Sequence, residues 1–138
     1  MPAIRSWATA SLLLIAACDG NVETGLFFPT WNPDGPVPTG VVQGVLLEDH
    51  RCLFVEANGQ RTLVLWQEGL GFEEGMLLDP AGAPIVRVGE LLHGGGGYHS
   101  DRSYFEELAG EEIPERCMPD SGGDGFAHIY GVEAGPFE

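Results

Sequence analysis

The sequence predicts a mainly β protein: a small, partly open, OB-like barrel of five or six strands with one short helix. Three observations carry this. Short β-rich runs recur from Val41 onward between turns marked by Gly, Pro and Asn. The run Leu63-Val64-Leu65-Trp66 is apolar on both faces, where an open, one-sided sheet would alternate. Only residues 101–108 have clear helical spacing. The 138 residues fit one domain and exclude a (β/α)8 barrel, which needs roughly 250.

Taken in order, the chain opens on a targeting segment. Residues 1–17 have the three-part shape of a secretory signal, with Arg5 as the one early positive charge. An uncharged apolar stretch of ~11 residues follows, centred on Leu12-Leu13-Leu14-Ile15 and too short to cross ~30 Å of hydrocarbon as a helix. It ends Ile15-Ala16-Ala17-Cys18. This resembles the lipobox of bacterial lipoproteins: an aliphatic residue, two small residues and Cys. The resemblance implies that Cys18 receives a diacylglyceryl thioether, that the signal is cut before it, and that Cys18 becomes the lipidated first residue. Acyl chains such as palmitate contribute ~0.8 kcal/mol per buried CH2, so two or three of them hold a soluble domain stably. The implied partner is the membrane, through the lipid on Cys18. The implied location is the bacterial cell envelope, at either membrane and on its periplasmic or surface face.

Residues 18–40 read as the lipidated Cys and a flexible tether, with Pro29, Pro33, Pro36 and Pro38 and no sustained periodicity. A flexible stretch of ~22 residues would place the domain ~25 Å from the membrane. Leu26, Phe27, Phe28 and Trp31 are out of place in a spacer; either they lie at the lipid interface or, as expected here, they pack back on the domain.

The domain itself is assigned residues 41–138. Residues 41–48 form its first strand, with Gly44 as a bulge or bend. Residues 52–56 and 61–66 flank Ala57-Asn58-Gly59-Gln60, and Asn-Gly between apolar runs signals a hairpin. Residues 76–79 and 84–88 flank Asp79-Pro80-Ala81-Gly82, with Pro at the second turn position. Residues 90–93 continue that strand past a kink at Gly89. The helix places Tyr104, Phe105 and Leu108 on one side, with Ser100 or Asp101 as its cap. Together with the tether aromatics it is expected to cover the outer face of strand 61–66. Residues 126–132 form the last strand. The runs Cys52-Leu53, Leu63-Val64-Leu65-Trp66, Val86-Arg87-Val88-Gly89-Glu90 and Ile113-Pro114-Glu115-Arg116-Cys117 are similar to small, uncharacterised β-rich bacterial domains. That resemblance implies no activity.

Three Cys are odd in an exported protein; with Cys18 given to lipid, Cys52 and Cys117 remain in an oxidising compartment. A disulfide between them would close a 65-residue separation and stabilise by ~4 kcal/mol. It is expected to pin a loose region, roughly 94–124, to the barrel wall.

The charges exclude one large class. Against 21 acidic residues stand 6 basic ones, all Arg, for a net charge of −15. A nucleic-acid binder needs cations to displace phosphate counterions, and this chain lacks them. With 43% hydrophobic residues it is not an acidic disordered tail either. Such a domain is repelled by an anionic bilayer, so the lipid and not electrostatics must hold it there.

No nucleophile elbow, P-loop or Cys-x-x-Cys is present, and no cofactor is expected. In His93-Gly94-Gly95-Gly96-Gly97-Tyr98-His99-Ser100-Asp101 the residues His93, His99 and Asp101 are weak metal candidates, since imidazole and carboxylate suit zinc. The plainer reading is a flexible glycine loop with solvated histidines. Asp120-Ser121-Gly122-Gly123-Asp124-Gly125 lacks the EF-hand register and reads as a surface loop. The expected function is a non-enzymatic, lipid-anchored envelope module that binds a ligand or an envelope protein partner. The alternative is a metal-binding or metal-dependent enzyme site around His93, His99 and Asp101.

Overall fold

The computed structural model describes residues 25–119 and 125–138. The signal segment, Cys18 and residues 120–124 of the acidic turn lie outside these.

Nine strands and one α-helix follow in order. A two-residue strand β1 (Thr30–Trp31) precedes β2 (Gly40–Asp49), β3 (Cys52–Ala57) and β4 (Gln60–Gln67). Then come three short strands, β5 (Gly71–Glu73), β6 (Met76–Leu78) and β7 (Pro84–Arg87), and the long β8 (Leu91–His99). Helix α1 (Arg102–Ala109), a 3-10 turn (Glu115–Cys117) and β9 (Phe126–Ala134) complete the chain.

β2, β3, β4, β9 and β8 form a closed ring, OB-like in order. β2 coils strongly, pairing with β8 through residues 40–45 and with β3 through residues 45–49. The ring is closed rather than partly open, because β4 and β9 run parallel and pair from Leu63↔Phe126 to Leu65↔His128. β1 adds outside the ring, parallel to the end of β4. β5, β6 and β7 make a separate meander.

The turns follow local chemistry. Asn58 and Gly59 both have positive φ, as the two-residue hairpin requires. Asp79 holds its own turn, its Oδ1 accepting from the amides of Ala81 and Ala83 at 2.9 and 2.8 Å. β2 passes Gly44 without a shift in register. Glycine is needed there for another reason: a Cβ would lie 2.5 Å from the Glu56 carbonyl oxygen and 2.6 Å from Val55. Gly89 does not kink a continuous strand; it sits in the turn that separates β7 from β8, its amide donating to the Leu46 carbonyl at 2.7 Å.

Both faces of β4 are buried, each by a different layer. Val64 and Trp66 join Val42, Leu46, Leu53, Leu92 and Ile129 inside the barrel, and Leu77 and Val86 from the meander plug one mouth. Leu63 and Leu65 join Phe54 and Phe126 on the outside, under Phe27, Trp31, Phe105 and Ile113. The segment read as tether is therefore docked where it can be followed. Phe27 and Trp31 are buried, and the Trp31 indole N–H donates to the Ile129 carbonyl at 3.0 Å. Within α1 only Phe105 is buried; Tyr104, though partly exposed, shares the packed side through its ring contacts with His99 and His128. Asp101 is the N-cap, and Gly110, in the left-handed region, ends the helix.

Cys52 and Cys117 are bonded, with Cα atoms 5.5 Å apart. The bridge is not the sole hold on the C-terminal third. Residues 94–99 belong to β8, Phe105 and Ile113 are buried, and Arg102 donates to both Glu106 and the Ile113 carbonyl.

Candidate functional site

The glycine run that reads as a loop is a strand in the barrel wall. β8 pairs with β2 on one side and β9 on the other. Its glycines exist to let neighbours in. A Cβ on Gly94 would meet Ile129 at 2.7 Å, and one on Gly95 would meet the Tyr130 ring at 2.6 Å. Gly96 has φ of +151°, and a Cβ there would collide with the His128 carbonyl oxygen.

Beside this thin wall lies a shallow groove of about 360 Å3, bounded by Val41, His93, Gly95, Tyr130, Glu133 and Phe137. It adjoins a second hollow of about 410 Å3 formed where the C-terminal residues fold over β8 and β9. Each lies within the size range of small-ligand sites. The C-terminus is laid in place by three bonds. The Gly135 amide donates to the Leu91 carbonyl at 2.8 Å, the Phe137 amide to Gln43 Oε1 at 2.6 Å, and His93 Nδ1 meets the Gly135 carbonyl at 2.9 Å. The other ring nitrogen, Nε2, stands 3.5 Å from the Glu133 carboxylate. Val41 (39% exposed), Tyr98 (41%) and Phe137 (58%) are three of the four large hydrophobic side chains left exposed among the described residues. Val41 and Phe137 line the groove, and the Tyr98 hydroxyl accepts from the Gln43 amide at 3.3 Å. The groove combines apolar walls, a glycine floor and one imidazole–carboxylate pair.

A second cluster lies under α1. His99 and His128 face each other with ring centroids 5.3 Å apart, and Tyr104 closes over both at 5.0 and 6.1 Å. Trp31 meets His128 edge-on at 4.7 Å. His128 is buried, and its Nδ1 has no hydrogen-bond partner among the described residues. Burial, and secondarily the neighbouring His99, hold its pKa below the ordinary 6.5. The cluster is packed from aromatic and imidazole rings, and Tyr104 brings α1 onto it.

His93, His99 and Asp101 are not brought together. The two histidines stand six residues apart on one strand, about 20 Å of its length. Asp101 has a separate task, its Oδ1 accepting from the amides of Ser103 and Tyr104 at the helix start. Among the described residues no three His, Cys, Asp or Glu side chains converge as a metal site. The partners that sequence reasoning missed are Glu133 for His93 and His128 for His99. In the β8–β9 register His93 faces Glu133, while His128 lies opposite Gly97 and so is diagonal to His99.

No protein-family model matches the chain, and neither a curated protein nor a solved structure matches it.

Proposed function

We propose that the chain is a lipid-anchored lipoprotein of the bacterial cell envelope, and that its barrel is a non-enzymatic binding module. The observation that carries the anchor is Ile15-Ala16-Ala17-Cys18, directly after an apolar stretch of signal length. A disulfide that closes a 65-residue separation supports an oxidising compartment. The groove beside β8 is the recognition face this reading assigns, because two of the large hydrophobic side chains left exposed, Val41 and Phe137, line it together.

Two experiments test the reading. Cys18→Ser removes the acylated thiol. The variant should lose labelling by radioactive palmitate and leave the detergent phase. Equal labelling and partitioning of variant and wild type would refute the anchor. For the groove, Phe137→Ala and Val41→Ser should abolish recovery of the cross-linked envelope partner from intact cells while leaving the melting temperature unchanged. Unchanged cross-linking would remove the groove from the binding face.

A further inference from the structure

Resting on that lipid-anchor reading, we infer that the barrel sits on the bilayer in one orientation. The rim at His50 and Arg51 lies against the lipid headgroups, and the β8 groove is turned away from them.

The anchor chain joins the barrel at a defined place. The Gly25 carbonyl accepts from the Arg116 guanidinium at 2.6 Å, and the same guanidinium reaches the His50 carbonyl at 2.9 Å. Two residues on, the Phe27 amide donates to the Arg51 carbonyl at 2.9 Å, and Phe27 bridges to Cys52. Cys52 is in turn bonded to Cys117, next to Arg116. The entering chain, the turn between β2 and β3, and the 3-10 turn are thus clamped into one rim.

The free span is short. Gly25 lies seven residues after Cys18, which reach at most about 25 Å even when fully extended. The acyl chains on Cys18 therefore keep this rim near the headgroups. Part of the rim's negative charge is paired. Glu48 pairs with Arg51 at 2.9 Å, and Asp49 pairs with Arg61 at 2.7 Å and with His50 at 2.9 Å. Among the described residues, Glu73 and Glu74, in the cleft beside Arg51, have no such pair. The His50 and Arg51 side chains, 75% and 52% exposed, project to meet lipid phosphate. Val41 in the groove is eight residues back along β2 from Asp49, about 26 Å of strand, and β2 coils from one wall to another between them.

The test is photo-crosslinking of the full-length, acylated protein in native membranes. A photoreactive benzoylphenylalanine replaces Arg51 in one sample, His50 in a second and Phe137 in a third. The expected result is phospholipid adducts from positions 51 and 50 and none from 137. Inserting a Gly/Ser segment of about 20 residues after Asn21 should lower the adduct yield at both rim positions about sevenfold, by the −3/2-power fall of effective concentration with length. Adducts from 137 at the same yield, or a rim yield untouched by the insertion, would overturn the orientation while the anchor stands. An intact mass without acyl chains on Cys18 would instead overturn the anchor reading, and the orientation with it.

Discussion

On the wall made by β3 and β4, the outer face carries Phe54, Leu63 and Leu65 and is covered by Phe27, Trp31, Phe105 and Ile113, with a disulfide at its edge. On the wall made by β8, the corresponding positions carry Gly95 and Gly97, covered by Tyr130 and Pro38. The first wall holds by side-chain burial and a covalent link. The second holds by backbone pairing on both edges, and its lack of side chains is what admits Ile129 and Tyr130. The two walls therefore fail to different perturbations. A covalent or volume change should undo the first, and a single added methyl should undo the second.

The largest effect is expected from the bridge. Cys52→Ala combined with Cys117→Ala should cost ~4 kcal/mol by the chain-entropy account, read as a fall in melting temperature of more than ~10 °C. A fall of under ~2 °C would show that Phe105 and Ile113 hold that wall alone. Next comes Gly96→Ala, which places a methyl against the His128 carbonyl oxygen at positive φ. It should destabilise by on the order of 3 kcal/mol, where an exposed β position would tolerate alanine. Denaturant melts of the two variants set the walls side by side.

A smaller effect follows from His128. Its folded pKa lies below the ordinary 6.5, so folding favours the neutral ring. The sign is then set: this stability is fully present above about pH 6.5 and is lost as pH falls through the lower, folded value. Melts from pH 7.5 to 5 should show a decline that His128→Phe reduces, with His99 and Tyr104 the groups that face it. An identical pH profile in the variant would assign the decline elsewhere.

The smallest effect compares two turns of equal length. Asn58-Gly59 and His50-Arg51 both take positive φ at both positions, but only the first has residues suited to it. His50→Asn with Arg51→Gly should stabilise by about 1 kcal/mol, offset in part by the lost Arg51–Glu48 pair. Lower stability in thermal melts would show that the pair outweighs the backbone strain.

The same contrast explains what was legible in the sequence. The two apolar faces of β4, the Asn58-Gly59 hairpin and the Asp101 cap each have a local signal in their own residues. The β8 glycines have none, because a strand announces itself through alternating side chains and glycine has no side chain to alternate. Their meaning lies in Ile129 and Tyr130, more than thirty residues away. That is also why His93, His99 and Asp101 look adjacent in sequence and stand apart in the fold. The positive φ of His50 and Arg51 has no signal in those residue types, and β1 has none because two residues are too few to show a period.

The central claim is that residues 94–97 are barrel wall and not loop. Amide hydrogen exchange on the folded protein tests it most directly. The account predicts that the amides of Gly95 and Gly96, the two paired to both β2 and β9, exchange only through global unfolding, as slowly as those of Leu63 to Leu65. Exchange of the glycine amides at unprotected rates, while β4 stays protected, would contradict it.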